Sequence, residues 1–280
     1  MERGEGEAEM AKVVVVTSGK GGVGKTTTTA ALGAALAQRG ERVVVVDFDV
    51  GLRNLDLIMG AERRVVFDLI NVIQGVAKLS QALIRDKRLE NLWLLPASQT
   101  RDKDALTEAG VERVIADLRT KFDWILCDSP AGIERGATLA MRYADEAIIV
   151  TNPEVSSVRD SDRIIGMLDS KTVKAESGER VTKHVLITRY DAGRAARGEM
   201  LSIDDILEIL ATPLLGIIPE SQDVLRASNV GSPVTLNNAA SVAARAYADA
   251  ARRLCGETIA MMVPAERKRF MDRLLGRRAA

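Results

Sequence analysis

Residues 13–29 constrain the fold of this chain more than any other stretch. They begin with four consecutive valines, which are too few to span a membrane and too β-branched for a helix interior, and which predict a buried strand of a parallel sheet. A glycine-rich turn follows. The alanine-rich segment after the turn predicts a helix whose N-terminal dipole faces that turn. A strand, a glycine-rich turn and a helix in this order predict a phosphate-binding loop.

The residues of the turn suit the phosphates of a nucleotide. Glycine has no Cβ, so the backbone can wrap around an anion and direct its N–H groups towards it. We expect Lys25 to contact the outer phosphates and the Thr26 hydroxyl to bind Mg²⁺. ATP and Mg²⁺ are therefore the predicted cofactors. The predicted nucleotide contacts are Gly19, Lys20, Gly21, Gly22, Val23, Gly24, Lys25, Thr26 and Thr27.

A second lysine, Lys20, lies five residues before Lys25 in the string Lys-Gly-Gly-Val-Gly-Lys-Thr. This string resembles the deviant Walker A phosphate loop of the MinD/ParA family of ATPases. The resemblance implies an ATP hydrolase that forms a dimer when it binds ATP. It also implies that Lys20 reaches across the interface to the partner's nucleotide, so that Lys20 acts in catalysis together with Lys25.

Two further predicted strands end in carboxylates. Residues 42–47 lead into Asp47 and Asp49, and residues 122–128 end in Asp128. The carboxyl ends of parallel strands are where open sheets bind ligands, which places Asp128 beside a Mg²⁺-bound water. The family resemblance implies that Asp49 orients the attacking water and that Asp47 supports the hydrated Mg²⁺.

Strand and helix patterns alternate from residue 12 to about residue 256, without a repeat or a low-complexity linker. This alternation predicts one α/β domain, a doubly wound and mostly parallel sheet flanked by helices, over residues 11–258. Residues 1–10 are predicted to be a disordered acidic leader. Within the domain we expect a helix over about residues 104–121, a surface loop over 170–182 and an alanine-rich helix over 239–254.

Composition excludes several classes of protein. The net charge is zero, so any nucleic-acid or membrane partner must be bound by a local patch. Cys127 and Cys255 stand alone, which indicates neither a disulfide framework nor a metal site. The single histidine, His184, has no partner motif for a triad. No run of 18 apolar residues and no signal peptide occur, so a cytoplasmic protein is expected.

The final residues have a different composition. Residues 259–280 are predicted to be a linker and a C-terminal helix, and residues 266–278 contain six basic side chains against two acidic ones. Helical spacing gathers an apolar face and sets basic residues opposite it, which predicts an interfacial helix for an anionic membrane surface. A helix docked on the core of the protein itself is the alternative. The apolar face consists of Phe270, Met271, Leu274 and Leu275, and the basic residues include Arg269 and Arg273.

Residues 49–68 and 152–163 resemble the septum-positioning MinD branch of the family more closely than its partition branch. This resemblance implies that Asn54, Glu154 and Asp160 border the dimer or partner surface, and that Arg189 and Pro219 lie beside the adenine. It further implies a homodimer on the cytoplasmic face of the inner membrane. The implied function is to place the division septum by recruiting the inhibitor MinC and responding to MinE.

The alternative within the family is a ParA-type partition ATPase, whose basic end would bind DNA phosphates. Phosphate contacts need no hydrophobic stripe, and the tail has one. No nucleic-acid partner is therefore expected.

Overall fold

A computed structural model describes residues 11–99 and 103–264, and this part of the chain contains an eight-stranded sheet. The strand order is β3-β4-β2-β5-β1-β6-β7-β8. Strand β3 is antiparallel to β4, and the other neighbouring strands of the described sheet are parallel. The strands are β1 Lys12–Thr17, β2 Val43–Asp47, β3 Ile84–Arg85, β4 Leu92–Leu95, β5 Trp124–Asp128, β6 Glu146–Thr151, β7 Thr182–Tyr190 and β8 Leu214–Pro219.

Helices cover both faces of the sheet, which confirms the predicted doubly wound α/β fold. Those of the described residues are α1 Lys25–Gln38, α2 Leu55–Ile58, α3 Leu69–Ile73, α4 Leu79–Ala82, α5 Glu108–Arg119, α6 Arg135–Met141, α7 Val155–Lys171, α8 Val173–Glu176, α9 Ala192–Ala196, α10 Ile203–Leu210, α11 Gln222–Asn229, α12 Val234–Asn237 and α13 Val242–Leu254. Two short 3₁₀ turns occupy Glu62–Arg64 and Lys103–Ala105.

The four valines of β1 show why this strand lies at the centre. Val14 and Val16 pack in the layer that contains α1 and α13, whereas Val13 and Val15 pack in the opposite layer with α5. Successive side chains of a strand point to opposite faces, so a strand buried on both faces is apolar throughout. The phosphate-binding loop is thus attached to a strand that is buried on both faces of the sheet.

The register of the sheet gathers the predicted carboxylates. Residue Asp128 of β5 is the partner of Val16 in β1 and of Asp47 in β2. Two strands and several helices separate Asp47 from Asp128 in the sequence, but the sheet places the two residues side by side. They lie at the carboxyl edge of the strands, where open parallel sheets bind ligands.

Three predicted segments differ in the structure. The helix expected from about residue 104 is α5, which begins only at Glu108. The Thr107 hydroxyl accepts a hydrogen bond from the N–H of Gly110 and so caps the helix at that point. The loop expected over 170–182 is wrong in part: α7 continues to Lys171, and the buried Thr172 caps the further helix α8. The alanine-rich helix starts at Val242, where the Ser241 side chain caps α13.

Some predicted features lie outside the described residues. They are the leader and the tail residues Arg269, Phe270, Met271, Arg273, Leu274 and Leu275. Within residues 11–99 and 103–264, no helix is long and apolar enough to cross a membrane.

Candidate functional site

The phosphate-binding loop joins β1 to α1 and has the backbone that its glycines predict. Gly22 and Gly24 have φ values of 75° and 102°, in the left-handed region that favours glycine. Gly24 is also the N-cap of α1, so the first N–H groups of that helix point towards the loop. A Cβ on Gly19 would lie 2.3 Å from the carbonyl oxygen of Asp160, because helix α7 packs directly against the loop.

Lys25 is buried at the base of this loop. Its Nζ donates to the hydroxyl oxygen of Ser18 at 3.0 Å. Burial lowers the pKa of Lys25, and the neighbouring carboxylates of Asp128 and Asp49 partly offset this effect. A buried ammonium with one hydroxyl partner is well placed to bind an anion such as a phosphate.

Asp47 and Asp128 form a buried acidic pair opposite Lys25. Burial raises the pKa of Asp128 to about 7, although hydrogen bonds from the hydroxyls of Thr26 and Thr29 oppose the shift. The pKa of Asp47 is raised well above its usual range, by burial first and by the charge of Asp128 second. Two carboxylates without a neighbouring divalent cation are therefore costly to ionise here.

Asp49 lies two residues after the end of β2, and the Asp47 side chain holds its backbone. Its backbone N–H donates to Oδ1 of Asp47 at 2.9 Å, and the N–H of Leu55 donates to Oδ2 of Asp47 at 3.2 Å. The Asp47 side chain thus binds the backbone at Asp49 and again at Leu55. Asp49 also lines a cavity of about 230 Å³ with Leu52, Pro130 and residues near them.

A second cavity, of about 280 Å³, opens beside the phosphate-binding loop. Val23, Gly24 and Thr27 form one wall, and Arg189 and Pro219 form the other. Both residues that the family resemblance assigned to the adenine side therefore line one cavity with the loop. Arg189 is an exposed residue of β7 between the buried Thr188 and Tyr190, and it adopts a φ of 54° where the pairing of β7 with β8 is irregular.

Sequence patterns did not reveal several residues of this cavity. Tyr247 of α13 lies at its wall, fully buried, and its hydroxyl is 3.2 Å from that of Thr28. The hydroxyl of Thr188 donates to the carbonyl oxygen of Val23 at 2.7 Å. Both residues lie in ordinary helix or strand patterns, and only their long-range partners distinguish them.

Among the residues that the family resemblance assigns to a dimer or partner surface, Glu154 contacts Lys20 directly. Its Nζ donates to Oε2 of Glu154 at 2.7 Å and to the hydroxyl of Ser156 at 3.2 Å, within the same chain. Asp160 lies one turn further along α7, under Gly19. Asn54 is exposed at the start of α2, in the segment after Asp49. The loop, α7 and the segment after Asp49 therefore share one edge of the molecule.

The comparisons with known proteins agree with this geometry. The family described as the CobQ/CobB/MinD/ParA nucleotide binding domain matches residues 14–234. The septum site-determining protein MinD of Neisseria meningitidis serogroup B is 63% identical over 95% of this chain and all of its own length. The MinC:MinD cell division protein complex of Aquifex aeolicus contains a chain that is 43% identical, with a TM-score of 0.82 over 91% of this chain and all of that one.

A third similar protein was solved with a ligand. The septum site-determining protein MinD of Pyrococcus horikoshii, complexed with Mg-ADP, is 33% identical, with a TM-score of 0.77 over 88% of this chain and 96% of that one.

Proposed function

We propose that this chain, which belongs to the septum site-determining MinD proteins of the CobQ/CobB/MinD/ParA family, forms a dimer when it binds ATP and that the dimer attaches to a membrane. As a member of that family, the protein is an ATPase of cell division. The observation that carries the proposal is the shared edge on which the buried Lys25, the strand-end carboxylates and Lys20 meet. A nucleotide bound at this edge would contact both the catalytic groups and the residues of the proposed dimer surface.

The base of the nucleotide occupies the cavity between the loop and Arg189, and its phosphates lie against the loop and the N-terminus of α1. Lys25 contacts the outer phosphates because its ammonium is already buried at that point. Val23 and Thr27 border both regions, so they position the sugar and the inner phosphate. A nucleotide bound here replaces Ser18 as the principal partner of Lys25.

The residues present fit Mg²⁺ bound through a nucleotide. Among the residues that the structure describes, no group of three His, Cys, Asp or Glu side chains could hold a metal ion by itself. The Thr26 hydroxyl and the phosphate oxygens would therefore be direct ligands, with Asp47 and Asp128 accepting hydrogen bonds from the waters of the ion. When bound, Mg²⁺ neutralises charge on the phosphate oxygens. Both aspartates ionise more readily beside a cation.

Asp49 orients the water that attacks the outer phosphate. The backbone N–H of Asp49 is bound to the Asp47 carboxylate, so a change at Asp47 on nucleotide binding also changes the position of Asp49. Hydrolysis then removes the phosphate group that the two copies share. The dimer loses its main bridge and separates.

Lys20 supplies the bridge between the copies. In the single chain it is bound to Glu154, and in the dimer it reaches the partner's nucleotide. Because Glu154 starts α7 and Asp160 lies under the loop, this exchange also alters the surface of α7. We assign partner binding to this surface, including MinC, which a similar protein from Aquifex aeolicus binds, and MinE, which the family resemblance implies.

Residues 265–280 attach the dimer to the inner membrane. Burying an apolar side chain contributes roughly 1.5–3 kcal/mol and each basic residue near anionic lipid about 1 kcal/mol. Ordering one residue costs about 1–2 kcal/mol, so a single short helix binds only weakly. Two tails on one dimer gain roughly 10²–10⁴ in avidity. Dimerisation with ATP thereby becomes membrane attachment with ATP.

Sedimentation with anionic vesicles in ATP, ADP or no nucleotide tests this function. We expect pelleting with ATP alone, and loss of pelleting in Lys20→Ala, in Phe270→Glu and in a chain that ends at residue 264. Lys20→Ala should still bind nucleotide as a monomer, whereas Lys25→Ala should not. Equal pelleting with all nucleotides, or an ATP-loaded chain that stays monomeric, would overturn the proposal.

A further inference from the structure

The chain makes a sharp and well-defined turn where it leaves α13. Gly256 has a φ of 87°, its N–H donates to the carbonyl of Arg253 at 2.8 Å, and the N–H of Glu257 donates to the carbonyl of Arg252 at 3.1 Å. This pair of bonds is the Schellman motif that ends helices at a glycine. It directs residues 257–261 back over the body of the protein.

We call residues 257–261 the strap. Hydrogen bonds through Arg253 hold the strap against β8, the last strand of the sheet. The guanidinium of Arg253 donates to the carbonyl of Leu215 in β8 at 2.9 Å. The same group donates to the carbonyls of Ile259 at 3.3 Å and Ala260 at 2.8 Å. One planar side chain with several fixed donors therefore holds two segments of backbone together.

Each end of the strap has a further attachment. The carboxylate of Glu257 is paired with Arg39 at 2.6 Å and with Arg252 at 2.8 Å. Met261 packs against the apolar cluster formed by β7, β8 and α10. After Met261 the side chains turn outwards, since Met262 and Val263 are 50% and 55% exposed. Among the residues that the structure describes, Met261 is the last that packs against an apolar cluster of the body.

We propose that Arg253 is a positioning residue for the C-terminal segment: it holds the strap against β8, so that the membrane-binding residues leave the body from a fixed point on a short tether. This inference rests on the membrane attachment proposed above. Four residues, 262–265, separate Met261 from the basic segment that begins at Glu266. Without the strap, the tether would comprise the eight residues 258–265.

Tether length controls how strongly two linked binding events support each other. Once a flexible tether is long enough to span its two sites, the effective concentration that it provides falls roughly as the −3/2 power of its length. Doubling the tether lowers the avidity of the dimer by about threefold. The lipid affinity of a single tail is unchanged, because the tail itself is the same.

The test compares Arg253→Ala with Arg245→Ala. Arg245 is an exposed arginine of the same helix, and its replacement removes the same charge. Full-length protein, saturated with ATP, is titrated with vesicles of phosphatidylcholine and phosphatidylglycerol. We expect about threefold weaker binding for Arg253→Ala and wild-type binding for Arg245→Ala, with equal dimer fractions in solution.

A second arm separates tether length from a general loss of stability. A Gly-Ser-Gly-Ser insertion after Pro264 should weaken binding of the wild-type chain by about threefold, but that of Arg253→Ala by only about twofold, since its tether is already longer. Equal losses in both backgrounds, or wild-type binding by Arg253→Ala, would overturn the inference. If the wild-type chain itself fails to bind vesicles with ATP, the proposed membrane function fails instead.

Discussion

The Nζ atom of Lys20 lies 2.7 Å from Oε2 of Glu154 in the same chain. The side chains are 39% and 56% exposed, and the hydrogen bond from Lys20 lowers the pKa of Glu154. An exposed ion pair of this kind contributes about 0–1 kcal/mol, so it holds Lys20 in place only weakly. A partner's nucleotide phosphates, which carry more charge, can take its place. In the dimer proposed above, Glu154 would therefore compete with the partner's nucleotide for Lys20.

Replacing Glu154 by glutamine should strengthen the ATP-dependent dimer. The amide removes the charge that retains Lys20. Each of the two copies releases one such pair, worth about 0–1 kcal/mol, so we expect up to about 30-fold tighter dimerisation. Analytical ultracentrifugation across a range of protein concentrations with ATP measures the effect. Glu199→Gln, which breaks an exposed pair with Arg197, is the matched control. A weaker dimer would mean that Glu154 itself makes favourable contacts across the interface.

Asp49→Asn should slow hydrolysis and leave nucleotide binding in place. Asparagine keeps the size of the side chain but orients and activates water poorly, and a positioned base contributes about 10²–10⁴ to a rate. Single-turnover phosphate release from a preformed ATP complex reports the chemical step. Binding of a non-hydrolysable ATP analogue should stay within about threefold of wild type. Unchanged phosphate release would remove Asp49 from the catalytic site.

The stability of the nucleotide-free protein should depend on pH through Asp128. Its pKa is about 7 in the folded chain, against an ordinary value of 3.8, so the folded state binds the proton more tightly. The contribution of this group to stability is complete below about pH 4 and is lost as the pH rises through about 7. Asp128→Asn should therefore raise the free energy of unfolding at about pH 8 by about 1–3 kcal/mol, and change it little at about pH 4.

Urea denaturation of both chains, without Mg²⁺ or nucleotide, measures this difference. Taking the difference between the two chains cancels the titration of groups outside the site, such as Glu146 and Asp86, whose pKa values are lowered. A stability gain that is the same at both pH values would contradict a raised pKa for Asp128.

Two helical glycines should respond oppositely to alanine. A Cβ on Gly33 of α1 would lie 2.7 Å from Cγ1 of Val45, and forcing such contacts in a core typically costs about 1–3 kcal/mol. A Cβ on Gly166 of α7 would meet no atom within 4 Å, and alanine favours a helix over glycine by about 0.5–1 kcal/mol. Thermal unfolding should therefore show a lower Tm for Gly33→Ala and a higher one for Gly166→Ala. A lower Tm for both would show that α7 needs its glycine for another reason.

Much of the site follows from local patterns. The phosphate-binding loop and the aspartates that end β2 and β5 were predicted because each consists of residues adjacent in sequence, whose chemistry and strand period are visible directly. The assignment of Arg189 and Pro219 to the adenine side rests only on the family resemblance. No local pattern distinguishes a strand end that binds adenine from other strand ends. The buried contact of Tyr247 with Thr28 had no sequence signal at all.

Local patterns of the sequence predict the alternation of strands and helices, the phosphate-binding loop and the kinds of chemical group at the strand ends. The fold establishes which distant groups meet: Asp47 beside Asp128, Lys20 on Glu154, and Arg253 across β8 to the strap. This difference arises because helix and strand propensity act over a few neighbouring residues. Contacts between residues far apart depend on strand order, register and the packing of helices on both faces, which the whole chain settles together.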